Sequence, residues 1–261
     1  MTLPARPPRD PWAELRRHTP ARIGLGRSGV ALPTEELLRF AAAHAQARDA
    51  VQVPLDVGAL RAALQAAGWG DTLSLQSRAA DRDEYLRRPD LGRRLREADA
   101  QALQAQGGGA HLAIVLGDGL SAVALQRHAP PLLVALREAL SGTLRWAPIV
   151  IATQARVALG DEVGALLNAR LVLILLGERP GLSSPDSLGA YLTHAPRVGR
   201  CDAERNCVSN IRPEGLAPAA AAARIAWLLR ESLRLGLSGV ALKDESQTEL
   251  LGPREPQTGR A

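Results

Sequence analysis

The stretch RLVLILLGER, residues 170–179, decides the fold. Its six consecutive aliphatic residues, Leu171 to Leu176, end at Gly177 and the carboxylate of Glu178. That run is far shorter than the ~20 apolar residues needed to cross a bilayer, and it reads instead as a buried strand. Upstream, HLAIVL (111–116) has the same character and runs into GDGLS (117–121), a tight turn opening a helix over Ala122–His128. PLLVALREAL (131–140) is helical, APIVIATQ (147–154) a strand and DEVGALLNA (161–169) a helix. Short strands alternating with helices of this length imply crossover units and a parallel sheet. Residues 107–245 are therefore expected to form a Rossmann-like α/β domain, closed by a helix that starts at Pro218 and stops at Gly236.

Outward from that domain the texture changes. The glycines Gly107 to Gly109 mark a boundary, and residues 21–106 before it read as mainly helical. One helix is expected from Thr34, which can cap it, with Glu35 and Glu36 in its first turn; a second spans Val57–Ala67 and stops at Gly68; a third begins near Leu91. The first twenty residues form an irregular Pro/Arg arm, and residues 246–261 a loose tail. In open parallel sheets ligands bind beyond the carboxyl ends of the strands. Gly117–Ser121, Gln154–Val157 and Gly177–Leu182 occupy those positions.

Composition closes off several chemistries. The 261-residue chain is 46% apolar, enough for a real core, and its start, MTLPARPPRDPW, has no apolar leader segment, so the expectation is a cytoplasmic chain with no membrane span. Lys243 is the only lysine among 32 basic residues, and it stands in GVALKDE, outside any phosphate-loop or Schiff-base context. The net charge is +5, but the arginines are interleaved with acids (DRDEYLRRPDLGRRLREAD) and aromatics are only 3%, so no nucleic-acid partner is expected.

Short motifs are equally restrictive. GLGRSG, with Gly24, Gly26 and Gly29, matches the dinucleotide pattern by letter, yet no strand precedes it and Pro33 interrupts the segment after it. A stand-alone nucleotide-binding protein using these glycines is the competing reading. The five histidines are scattered, and Cys201 and Cys207 at C-x5-C lack the tight spacing of a structural zinc site. Glu178 is either a loop cap or an acceptor for a ligand's amide or hydroxyl hydrogens.

Longer blocks carry a resemblance. ARIGLGRSG (21–29), LLRFAAAHAQARDAV (37–51), YLRRPDLGRRL (85–95), GDGLS, LVLILLGERPGLSSPDSLGAYLTHAPR (171–197) and CDAERNCVSNIRPEG (201–215), in this order, resemble the small subunit of ethanolamine ammonia-lyase. The resemblance implies a chain that assembles with a large barrel subunit into a hetero-oligomer holding adenosylcobalamin between the two. Radical chemistry at that cofactor converts ethanolamine to acetaldehyde and ammonia, with the catalytic side chains on the large subunit. The family's cobalamin contacts fall on Val157, Glu178 and Cys207; Cys201 matches none. No histidine here stands in the D-x-H-x-x-G setting of base-off cobalamin proteins, so the resemblance implies that the cofactor keeps its own base on cobalt. Some relatives have an amphipathic amino-terminal extension associated with packaging in a bacterial microcompartment, where this chain has the Pro/Arg arm.

Overall fold

The computed structural model describes residues 10–140, 142 and 144–246. In chain order the helices and strands are α1 (Ala13–Arg16), α2 (Thr34–Gln52), α3 (Val57–Ala66), β1 (Thr72–Gln76), α4 (Arg82–Arg87), α5 (Glu97–Gln104), β2 (Leu112–Gly117), α6 (Ala122–Ala139), β3 (Ile149–Thr153), α7 (Val157–Leu166), β4 (Leu171–Gly177), β5 (Leu188–His194), β6 (Arg205–Ile211) and α8 (Pro218–Leu235). One sheet runs through the molecule in the order β1-β3-β2-β4-β5-β6.

The first four strands of that order are parallel. β4–β5 and β5–β6 are antiparallel, so the sheet is mixed rather than wholly parallel. The physical reason lies in the connection: only residues 178–187 separate β4 from β5, too few for the crossover of a dozen or more residues that a parallel return needs. β1 comes from the amino-terminal side of the glycine run and is an edge strand of the same sheet, so residues 21–106 are not helical throughout. The polar segment 201–215 contains β6 and is not simply a loop.

The central strands are aliphatic on both sides because both faces are covered. Leu112, Ile114 and Leu116 of β2, with Leu171, Leu173 and Leu175 of β4, pack against α3, α6 and α8; Ala113, Val115, Val172 and Ile174 pack on the other face against α5 and α7. Each fully buried leucine or isoleucine contributes about 1.5–3 kcal/mol by leaving water. α6 is one 18-residue helix where two segments are expected, because Pro130 and Pro131 lie inside it. Their missing N–H groups cost backbone bonds, and the burial of Leu125, Leu132, Leu133 and Leu136 on one face outweighs that cost. α8 keeps the expected limits: Pro218 opens it, and Gly236 at φ +71° ends it. Thr34 begins α2 but does not cap it, and the segment near Leu91 is a 3-10 turn followed by α5. Residues 247–261 of the expected tail lie outside the described residues. Among the described residues no helix is long and apolar enough to cross a membrane.

Candidate functional site

Parallel strands end on a common edge, and here Ser77, Asp118, Gln154 and Glu178 stand just beyond β1, β2, β3 and β4. The backbone is unusually close there. Gly119 has φ +57°, and a Cβ on it would lie 2.2 Å from the Gly177 carbonyl; a Cβ on Gly177 would lie 1.9 Å from the Ser121 carbonyl. Only glycine permits this approach, in which Leu120 N donates to Gly177 O at 2.9 Å. The GDGLS turn is thereby pressed against the tip of β4.

Asp118 ties the next tip to the same place. Its carboxylate oxygens accept from Gln154 N and Ala155 N, both at 2.9 Å. Burial raises its pKa above the ordinary carboxylate value, opposed by those two amides and by the Arg82 guanidinium at 3.8 Å. Gln154 is held at φ +55°, a left-handed conformation that a non-glycine residue rarely adopts. This turn delivers Arg156 and Val157 to the start of α7.

Tyr85 fills the space behind. Its hydroxyl donates to Ala155 O at 3.1 Å, and the guanidinium carbons of Arg82 and Arg156 stand 4.8 and 4.5 Å from its ring centroid. Burial pushes the tyrosine's pKa up to about 12, so it stays a neutral donor.

In front is an open cleft of about 150 Å³ lined by Gly119, Leu120, Val157, Leu176, Glu178 and Tyr191, among others. Val157 and Glu178, the two expected cofactor contacts nearest the strand tips, both line this cleft. Glu178 Oε2 accepts from Ser187 Oγ and from Asn210 N at 3.3 Å. The loop-cap reading of this residue is thus realised on one oxygen, while Oε1 accepts no hydrogen bond among the described residues. Cys207 does not line the cleft itself; it pairs in register with Tyr191, which does. Its sulfur lies 3.1 Å from Ser209 Oγ, and although the residue as a whole is exposed on edge strand β6, burial around the sulfur pushes the thiol pKa up. Such a thiol is a poor nucleophile at neutral pH. Burial, then the neighbouring Cys207 and Glu178, raise the Tyr191 phenol further.

Cys201 stands elsewhere, at the start of a 3-10 turn whose Glu204 accepts from the Cys201 N–H at 2.7 Å; both thiols are free. The GLGRSG glycines all have positive φ; Gly29 lies in a turn closed by a Ser28–Ala31 bridge, and α2 starts only at Thr34. Among the described residues no strand leads into them, so they lack the strand–turn–helix setting of a dinucleotide loop.

The model of the family described as "Ethanolamine ammonia-lyase light chain (EutC)" matches residues 9–243. The chain belongs to the ethanolamine ammonia-lyase light chain family. A relative named ethanolamine ammonia-lyase small subunit in Xanthomonas campestris pv. campestris is 56% identical over 258 residues, covering 97% of this chain and 94% of the relative. Proteins of the same name in Ralstonia nicotianae and Azotobacter vinelandii are 56% and 57% identical, covering 95% and 93% of this chain and 93% and 91% of their own.

Arg82, Tyr85 and Tyr191, which reach the strand tips, were not singled out in the sequence, and Asp118 and Arg156 lay inside the marked stretches 117–121 and 154–157 without being named individually. Asp118 was visible in GDGLS as a lone acid directly after a buried strand. Tyr85 and Tyr191 are the only two tyrosines in the chain, but nothing in their spacing joins them.

Proposed function

We propose that this chain is the small subunit of an adenosylcobalamin-dependent ethanolamine ammonia-lyase, and that it forms one wall of the cofactor site against a large subunit. The observation that carries this reading is the convergence of Val157, Glu178 and, through Tyr191, Cys207 on one open cleft at the strand tips. At about 150 Å³ the cleft is well below the ~300–1,000 Å³ of a pocket that encloses a ligand. It can take one edge of a corrinoid, and a second surface must cover the rest.

The residues present fit that group. Val157, Leu120 and Leu176 offer apolar contact to a macrocycle, Glu178 an acceptor for its amide side chains or nucleotide hydroxyls, and the protonated Cys207 thiol a small polarizable surface that packs without reacting. When bound, the cofactor supplies a cobalt–carbon bond whose breakage generates a radical. This chain's part is to hold and orient the cofactor and to exclude water; the substrate and its catalytic groups belong to the large subunit, a barrel in this reading.

Co-expression with the large subunit tests the proposal. Acetaldehyde release from ethanolamine should require both chains and added adenosylcobalamin. Full release by the large subunit alone would overturn it.

A further inference from the structure

Across Val157 from the first cleft lies a larger one of about 640 Å³, which shares Arg156 and Val157 with it. Its walls are the amino end of α7, the turn around Arg93 and Arg94, and the loop from Val198 to Asp202. Five arginines line it, and three are neutralised. Arg94 forms a two-pronged pair with Glu162, Arg200 pairs with Glu204, and the buried Arg205 pairs with Asp161.

The other two are not. The Arg93 side chain has no hydrogen-bond or carboxylate partner among the described residues. Arg156 donates Nη2 to Tyr85 O at 3.1 Å and stacks on the Tyr85 ring, and among the described residues no carboxylate comes within salt-bridge distance of it. Its buried Nε has no hydrogen-bond partner there either. Of the acids at the rim, Asp90 is held by Arg88 at 2.8 Å, while Asp202 is 90% exposed and only 3.5 Å from Arg205 Nε. The ten-residue α7 has no side-chain cap, so the first-turn N–H groups of Val157 and Ala158 add their partial positive charge to the same side.

We infer that this second cleft is an anion site for a phosphate group carried on a larger organic molecule. Two unneutralised guanidiniums and an uncapped helix start form a donor set that suits phosphate oxygens, and the volume exceeds what a bare ion requires. Assigning the phosphate to the cofactor rests on the function proposed above: the phosphodiester of the nucleotide loop is cobalamin's anionic group, and Val157 is the wall common to both clefts. A free nucleotide would present the same chemistry.

The test titrates cyanocobalamin, and separately cobinamide, which lacks the nucleotide and its phosphodiester, into the complex of this chain with its large subunit. Native, Arg93→Glu and Arg93→Lys chains are compared. The expected result is a loss of cyanocobalamin affinity of about tenfold or more in Arg93→Glu, the scale of one lost hydrogen bond to a charged group, with most of it restored in Arg93→Lys and cobinamide binding unchanged throughout. Equal weakening of both corrinoids, or of neither, overturns the cofactor assignment. Inorganic pyrophosphate binding, followed by phosphorus NMR line broadening, is the second arm. Loss of pyrophosphate binding in Arg93→Glu with cyanocobalamin binding intact assigns the cleft to a free phosphate ligand, and unchanged pyrophosphate and cyanocobalamin binding overturns the anion site itself. A native complex that binds no corrinoid at all would defeat the proposed function and leave the pyrophosphate arm to decide the cleft.

Discussion

Replacing Asp118 should loosen the strand tips by an amount the hydrogen bonds allow to be estimated. The carboxylate satisfies Gln154 N and Ala155 N at 2.9 Å each, and Asp118 and Ala155 are only 4% and 0% exposed. Asp118→Ala leaves both amides without an acceptor, at about 1–3 kcal/mol apiece, or about 2–6 kcal/mol in all. Against a total stability of about 5–15 kcal/mol this is large. Asp118→Asn keeps one acceptor oxygen and should lose roughly half as much. With a urea m-value of about 2 kcal/mol/M, the Ala variant's unfolding midpoint should fall by about 1–3 M and the Asn variant's by about half that. Because the same two amides set the turn that delivers Val157, cobalamin affinity of the assembled complex should fall in the same order. An Ala variant whose midpoint stays within about 0.3 M of the native value would refute the claim that this carboxylate holds the loop.

Other outcomes rest on the same geometry. Arg205→Ala removes one partner of a pair whose side chains are 3% and 2% exposed and should cost about 3–5 kcal/mol in urea unfolding; adding Asp161→Ala should recover part of the loss, because no unpaired buried charge then remains. Glu204 has its pKa lowered to about 2 by the Cys201 N–H and Arg200. A depressed folded value means its contribution is complete above the ordinary 4.5 and fades as pH falls toward 2, so the Tm gap between native and Glu204→Gln should be widest near neutrality and narrow steadily below pH 4.5. Cys207→Trp should weaken cobalamin binding by the assembled complex while Cys201→Ser leaves it unchanged; equal effects would contradict the placement of Cys207 beside the cleft.

How much of the fold and the site was legible in the sequence depended on burial. β2 and β4 stood out because every residue in them is buried, and an unbroken aliphatic run admits few other readings. β1 was hidden because it is an edge strand in which only Leu75 is fully buried and Ser74 faces solvent. β6 was hidden for the same reason, with Cys207, Ser209 and Asn210 exposed. The antiparallel return was readable in principle from the short 178–187 connection, but only once β5 was recognised. For the candidate site, the strand-tip rule marked the stretches that contain Val157 and Glu178, and the resemblance singled out Val157 within its stretch, whereas the contact of Arg156 with Tyr85 joins residues about 70 positions apart and exists only in three dimensions.

The most direct test of the account is a cyanocobalamin titration of this chain alone, the large subunit alone and the two together, with Glu178→Ala in parallel. Saturable binding that appears only in the assembled complex and weakens in Glu178→Ala is the predicted result. Equally tight binding by the large subunit without this chain would contradict a cofactor site shared between them.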